Sequence, residues 1–326
     1  MSTPTRRHAL LAGLGALSLG RGALAQSTRG NYRLLVGFPA GGTADVLARA
    51  LQPRLQGSGE PLIVENKPGA GGRLAVAELK SAPADGRTVM VSADPILTIY
   101  PHVFRQIAYH TLTDVLPLVP VASEPVGLAI GPMVPASVRT LADFIAWCRR
   151  NPKDAAYTTA AAGTTMHFLG SQLAHAEKLD LLHVPHRGGA AAVQDVMGGQ
   201  IASTMTSMSL AMPQLASGKL RVLALANTSR SPRLPEVPTF AELGHKEIVA
   251  KVYYGTYLRA GTPAPVVAQR AQEVAAAAQS ADMLALLDKL SLDPMAMPQP
   301  QFAALVRADL ERWGPIVKAS GYSAED

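Results

Sequence analysis

The sequence predicts an α/β protein of two lobes, and three observations carry that reading. The chain of 326 residues exceeds the usual size of one domain. Short apolar strands, Gly-rich turns and helices alternate along it. The strands hold almost no polar residues, as expected of parallel sheets covered on both faces.

"YRLLVGF" reads as the first strand, and "ADVLARALQPRLQ" follows with Val46, Leu47 and Leu51 at helical spacing. "PLIVEN" is a strand, "KPGAGG" a turn and "RLAVAELKSA" a helix. "RTVMVSA" is a third strand, introduced by the turn "PADG". The pattern resumes with "AAYTTA", "AAGTT" and "MHFLGSQLAHAEKL", then "LDLLHVP", "HRGG" and "AAAVQDVMGG", and then the strand "LRVLALA". A seam is expected near "PLVPVASEPVGLAI", and the Pro-rich "SPRLPEVPTFAELG" marks a surface turn. "VAKVYYGTYL" reads as a strand returning to the first lobe, on which the C-terminal helices would pack. Two crossings make a two-stranded hinge. The expected division is lobe 1 at 26–124 and 252–326, and lobe 2 at 125–251.

Residues 1–25 read as a secretory leader. Arg6 and Arg7 precede a short, Gly-interrupted apolar core, and Ala23 and Ala25 set up cleavage after Ala25. The paired arginines, with Arg21 past the core, point to the twin-arginine route; the general secretory route is the alternative. The formal charge of +6 includes these three arginines and no leader acid, leaving +3. With no Lys/Arg stripe and no interleaved aromatics, nucleic-acid binding has no support. From Gln26 onward no apolar run reaches the roughly 20 residues that span a bilayer. Cys148 is the only cysteine, which excludes an intrachain disulfide.

Ligands bind α/β sheets outside the carboxyl ends of the strands, where a new helix presents unpaired N–H groups. "PAGGT", "PGAGG" and "AAGTT" each stand at such a place, and two facing cradles would suit a small molecule with two or more carboxylates. Each turn also reads as a plain connection, with Thr43 as a helix cap. Asp45 either supports the first turn of its helix or hydrogen-bonds a ligand. Arg187 either pairs with a carboxylate or is solvated. Other chemistries lack their residues. "PGAGGRL" has Leu74 where a dinucleotide fingerprint needs glycine, and GK[ST] and G-x-S-x-G are absent. His183 and His186 point to opposite strand faces, and His167 and His175 lie about two helical turns apart, so no metal is expected. No cofactor and no catalytic apparatus are predicted.

"VGFPAGGTADVLARAL", "IVENKPGAGGRLAVAELKSAPADGRTVMVS", "HVPHRGGAAAVQDVMGGQI", "GKLRVLALANTSRSPRLPEVPTFAELG" and "RAGTPAPVV" together resemble the Bug family. These are the extracytoplasmic solute-binding receptors of tripartite tricarboxylate transporters, and the likeness covers nearly all of the chain after the leader. It implies a type II periplasmic binding protein: two doubly wound α/β lobes on a two-stranded hinge, closing on a small carboxylate without a covalent step. Di- and tricarboxylates, acidic amino acids and aromatic acids are the ligands it implies. Carried over, the first loop's ligand contacts are Phe38, Ala40, Gly41, Gly42 and Asp45, and the second loop's are Thr159, Gly163, Thr164, Thr165 and His167. Gly71 of the third turn, Ser92 at the end of the third strand, Arg187 and Thr206 complete the candidate set. The family's second loop reads G-S-x-G-x-G-S-x-x-H; here Thr158 and Ala161 replace its first two glycines and threonines replace both serines. Tyr-Lys is common at His186-Arg187, and aspartate at Thr206 and His110. An acid lost at Thr206 and an arginine gained at Arg187 favour an anion without an amine. The implied partners are the permease subunits of a tripartite transporter, with a sensor ectodomain as the alternative, and the protein is expected to be a periplasmic monomer. A secreted α/β enzyme is the third and weakest reading.

Overall fold

The computed structural model describes residues 32–56 and 61–324; the leader expected at 1–25 lies outside them. The chain opens with β1 (Tyr32–Val36), α1 (Thr43–Leu55), β2 (Leu62–Asn66), a 3-10 turn at Ala70–Gly72, α2 (Arg73–Ser81) and β3 (Thr88–Ala93). Three short helices, α3 (Pro95–Thr98), α4 (Tyr100–Val103) and α5 (Thr111–Asp114), lead into the long strand β4 (Val115–Ile130). Next come α6 (Leu141–Arg150), β5 (Ala156–Thr159), α7 (Thr165–Glu177), β6 (Leu182–Pro185), α8 (Gly189–Met197), β7 (Ser203–Ser207), α9 (Met208–Leu215) and β8 (Arg221–Leu225). The chain ends with β9 (Lys251–Arg259), α10 (Ala264–Ala278), α11 (Ala281–Lys289), β10 (Asp293–Pro294) and α12 (Gln299–Ser320).

The strands form one curled sheet in the order β2-β1-β3-β9-β4-β7-β5-β6, with β8 and β10 also paired to β4. β1 is parallel to β2 and β3, and β5 is parallel to β6 and β7, as the repeating pattern predicts. The centre differs. β9 runs antiparallel to both β3 and β4, and β4 runs antiparallel to β7 and β8. The reason is connectivity: β9 returns from the far half of the chain and inserts between β3 and β4, so it enters from the opposite end. Within β4, Val115 to Pro125 pair with β9, whereas Val126 to Ile130 pair with β7 and β8. Its register with β9 slips at Pro117/Val119 and at Pro120/Ala122, because proline has no N–H for the ladder.

Helix α12 ties the parts together, packing against α3, α4, α7 and β4. Trp313 on α12 is fully buried, with its ring 6.2 Å from that of Phe168 on α7. Helix α7 lies close on β5 because Gly170 has no side chain: a methyl group there would overlap the Tyr157 ring. Tyr157 is itself buried and donates its hydroxyl to the His167 carbonyl at 2.8 Å, which fixes the first turns of α7. Gly170→Ala must therefore shift α7 or Tyr157 and is expected to destabilise the fold by about 1–3 kcal/mol, measured by urea unfolding. An unchanged midpoint would show that the contact is looser than this.

Candidate ligand-binding site

The first cradle forms where β1 hands over to α1. Gly37 is buried; a Cβ on it would lie 2.9 Å from the Gly72 Cα, so the first and third turns pack backbone to backbone. Asn66 at the end of β2 donates its Nδ2 to the Phe38 carbonyl (3.0 Å) and to Asp45 Oδ1 (2.9 Å). Asp45 Oδ2 accepts the Gly41 amide and Arg49 Nε, each at 2.9 Å. Gly41 holds φ at 87°, a conformation open to glycine. Burial raises the Asp45 pKa, but the bonds from Arg49, the Gly41 amide and Asn66 outweigh it and hold the carboxyl below its usual range. Both Asp45 oxygens thus brace the loop. Ala40, Gly41 and Gly42 are exposed, and Gly42 caps α1 without a side-chain hydrogen bond, so no side chain at the cap occupies the first-turn amides.

The second cradle follows β5. Thr159 is fully buried; its Oγ1 donates to the Ala161 carbonyl (2.9 Å) and contacts His183 Nε2 (2.8 Å). Thr164 caps α7, donating to the Ala161 carbonyl at 3.0 Å and accepting the His167 amide at 3.4 Å. Gly163, at φ 72°, donates its amide to His167 Nδ1 at 3.1 Å, which places the ring proton of the neutral imidazole on Nε2. His167 stacks on His183 at 4.0 Å between centroids. Burial lowers the His167 pKa to about 4; burial and the neighbouring His167 lower that of His183 to about 3.

Two candidate groups here keep free capacity. Thr165, the first residue of α7, is fully buried and its Oγ1 has no hydrogen-bond partner among the described residues. Arg187 is exposed between two residues tied to the second cradle's backbone: the His186 amide bonds the Thr159 carbonyl and the Gly188 amide the Ala160 carbonyl, both at 2.9 Å. Thr206 is buried on β7 opposite Gly127. Ser92 is fully buried at the end of β3 and donates to the Ala93 carbonyl at 3.2 Å.

A chain of contacts connects the three turns. Phe38 and Gly37 meet Gly72, Gly71 lies against Tyr100, and Gly163 lies against Val103 and Tyr322. Tyr322 meets the His167 ring edge-on at 4.8 Å. Sequence reasoning missed Tyr100, Tyr322 and a third group centred on Glu124. That carboxyl accepts hydrogen bonds from Ser209 and, at 3.4 Å, from Tyr254, whose hydroxyl also reaches the Thr43 side chain. Its signal was an acid in the middle of the apolar run 115–130. His186 lies between Thr158 Oγ1 and Asp195 Oδ2, each at 2.6 Å, in the order of a hydrolase relay. Thr158 is fully buried within the sheet, where its hydroxyl holds the His186 ring.

Glycine turns that open into helix N-termini, on two sheet halves sharing one long strand, define a solute-binding receptor. A family model described as "Tripartite tricarboxylate transporter family receptor" matches residues 46–322, and the chain belongs to that family, whose receptors are periplasmic. Protein BugT of Bordetella pertussis is 29% identical over 291 residues, covering 89% of each chain. The structure of R. palustris Rpa4515 with adipate is 28% identical and covers 90% of this chain and 98% of that one, with a TM-score of 0.77. MatC from Rhodopseudomonas palustris with bound malate is 26% identical and covers 88% and 98%, with a TM-score of 0.73. No helix among the described residues is long and apolar enough to cross a membrane.

The two histidines give the second cradle a pH signature. Each is held neutral in the fold, so between about pH 6.5 and the lowered values of about 4 and 3 the unfolded chain binds more protons. Their contribution to stability is complete above pH 6.5 and is lost as pH falls through that window. Melting curves from pH 7 to pH 4 are expected to show a larger drop for the wild type than for His183→Gln. Parallel curves would remove the histidine pair as the cause.

Proposed function

We propose that this receptor captures a small organic carboxylate between two lobes and delivers it to the permease subunits of a tripartite transporter. The lobes are 26–124 with 252–326, and 125–251. The change of partner along β4 at Pro125/Val126, and the start of β9 at Lys251, support that division. Adipate and malate, bound in the structures of two relatives, support the ligand class. Export through the twin-arginine route with cleavage after Ala25, and action as a monomer, belong to the same reading.

The observation that carries the site is the buried Thr165 hydroxyl at the start of α7, which has no hydrogen-bond partner among the described residues. Arg187 lies on the segment whose flanking amides bond the Thr159 and Ala160 carbonyls, and a carboxylate would engage it together with Thr165 Oγ1 and the first amides of α7. The exposed turn at Ala40, Gly41 and Gly42, with the first amides of α1, receives the ligand's other end. Asp45, Thr159, Thr164 and His167 position these groups, and Phe38 and Gly71 wall the first cradle. Contacts in both lobes then favour the closed conformation over the open one, which is a population shift rather than a chemical step.

Thr165→Val separates binding from folding. Replacing an unpartnered buried hydroxyl by an isosteric methyl is expected to leave the empty protein as stable or raise it by about 1 kcal/mol. Affinity for adipate or malate, read by calorimetry, should fall about tenfold, a difference of about 1.4 kcal/mol. Arg187→Ala is expected to do the same without moving the melting temperature. Unchanged affinity in both variants would place the ligand elsewhere.

A further inference from the structure

Successive side chains of a strand point to opposite faces, and β9 divides two sites in this way. Tyr254 turns toward Glu124 and Thr43, beside the first cradle, whereas Tyr253 lines a separate cavity of about 690 Å³. No cradle residue lines that cavity; its other walls come from α7, α12 and the segments 246–250 and 295–297. Apolar and polar linings meet in it. Met295, Met297 and Leu305 are half-buried and pack against the buried cluster of Tyr253 and Phe302. On the polar side, Arg312 is occupied, since it donates to Asp309 Oδ1 at 3.0 Å and to the Val249 carbonyl at 2.7 Å. Lys246 and Lys251 are exposed and make no ion pair among the described residues, and Glu247 Oε1 lies 3.9 Å from His245 Nδ1. Gln172 donates Nε2 to the Glu247 carbonyl at 3.4 Å, but its buried Oε1 has no hydrogen-bond partner among the described residues. The Tyr253 hydroxyl, equally buried, lies near Asp309 and completes no hydrogen bond. A buried acceptor without a donor is costly, and in the wall of a cavity the occupant can supply the donor.

We propose that this cavity is a second, effector site for an apolar carboxylic acid with a hydrogen-bond donor beside its carboxylate, as in 2-hydroxy and 2-amino acids. Lys246 and Lys251 offer two cations against the one acid Glu247, which favours a carboxylate head. The neighbouring donor meets Gln172 Oε1, which the bond to Glu247 holds next to Lys246. The apolar body lies against Met295, Met297 and Leu305; flexible thioethers conform to irregular shapes and pack well on rings, which suits an aromatic body. Ser123 on β4 and Lys251 and Tyr253 on β9 also line the cavity, with α7 on one side and α12 on the other. On the lobe division proposed above, both lobes and both connecting strands therefore form its walls. Closure reshapes such a cavity, so its occupancy and carboxylate capture at the cradles are reciprocally linked.

The test is calorimetric titration of 3-phenyllactate, phenylalanine and 3-phenylpropanoate, which share one skeleton and carry a hydroxyl, an ammonium or neither beside the carboxylate. The wild type is expected to bind at least one donor-bearing acid about tenfold more tightly than 3-phenylpropanoate, and the tighter of the two identifies the head group. Gln172→Leu, which removes the unpartnered oxygen at similar volume, should bring that ratio near one. Lys246→Ala with Lys251→Ala should weaken all three acids about tenfold. Thr165→Val, a change in the second cradle, should alter none of them. A ratio unchanged in Gln172→Leu, or binding that is lost in Thr165→Val and kept in the lysine variant, assigns the acids to the cradles and overturns the site. Failure of all three to bind the wild type also overturns it, while the adipate and malate titrations judge the capture reading separately. Malate affinity with the tighter acid at saturation should differ from that without it, and equal affinities overturn the effector role. The wild-type ratio and the surface lysines keep the test decisive if Gln172→Leu folds poorly.

Discussion

The arrangement depends on a single strand serving two sheets. β4 is sixteen residues long, and its first eleven positions face β9 while its last five face β7 and β8. An antiparallel strand in the interior of a sheet must satisfy its N–H groups on both sides, and prolines cannot contribute. Pro117 and Pro120 coincide with the two slips of register, so the strand bends where its ladder is interrupted. That bend and the change of partner after Pro125 give the sheet its curl. They also set the carboxyl ends of β1 and β5, where the two cradles start, in relation to one another.

Around that frame the cradles are stiffened by the same device in two chemical forms. In the first, a buried aspartate gathers a glycine amide, an arginine and an asparagine; in the second, buried threonine and histidine side chains gather a glycine amide and a carbonyl. Both are short-range polar networks, and inside a protein a satisfied network fixes geometry more firmly than a loop of glycines could alone. Glycine supplies the backbone shape and the network removes the freedom that glycine would otherwise retain. Binding then costs less ordering of the loops, because the folded chain already holds them in place.

The repeat of strand, turn and helix made the outer strands and the three glycine turns legible, since hydrophobic periodicity and glycine placement are local signals. Thr164 as the cap of α7 and the seam around 117–130 were legible for the same reason. The antiparallel entry of β9 was not, because nothing in "VAKVYYGTYL" states which neighbours receive it. The engagement of Asp45 with Asn66, twenty-one residues away, and of Thr159 with His183, twenty-four away, was equally out of reach. The sequence left Asp45 open between supporting its helix and bonding a ligand, and the resemblance implied a ligand contact for Thr159; the partners each side chain meets are assembled only by the fold. Glu124 had a visible anomaly, an acid in an apolar run, but its meaning required the strand ends that surround it.

Charge placement draws these threads together. The cradles present partial charges, from amides at helix N-termini, and one exposed cation at Arg187, all of one sign. Such a surface attracts an anion but discriminates weakly between anions, because many carboxylates fit a ring of donors. Discrimination needs a group of the opposite kind at a fixed position, and its penalty must fall on the wrong ligand. Glu124, the buried acid on the strand that both sheet halves share, has its pKa raised by burial and accepts only hydroxyl donors, so it adds no such group.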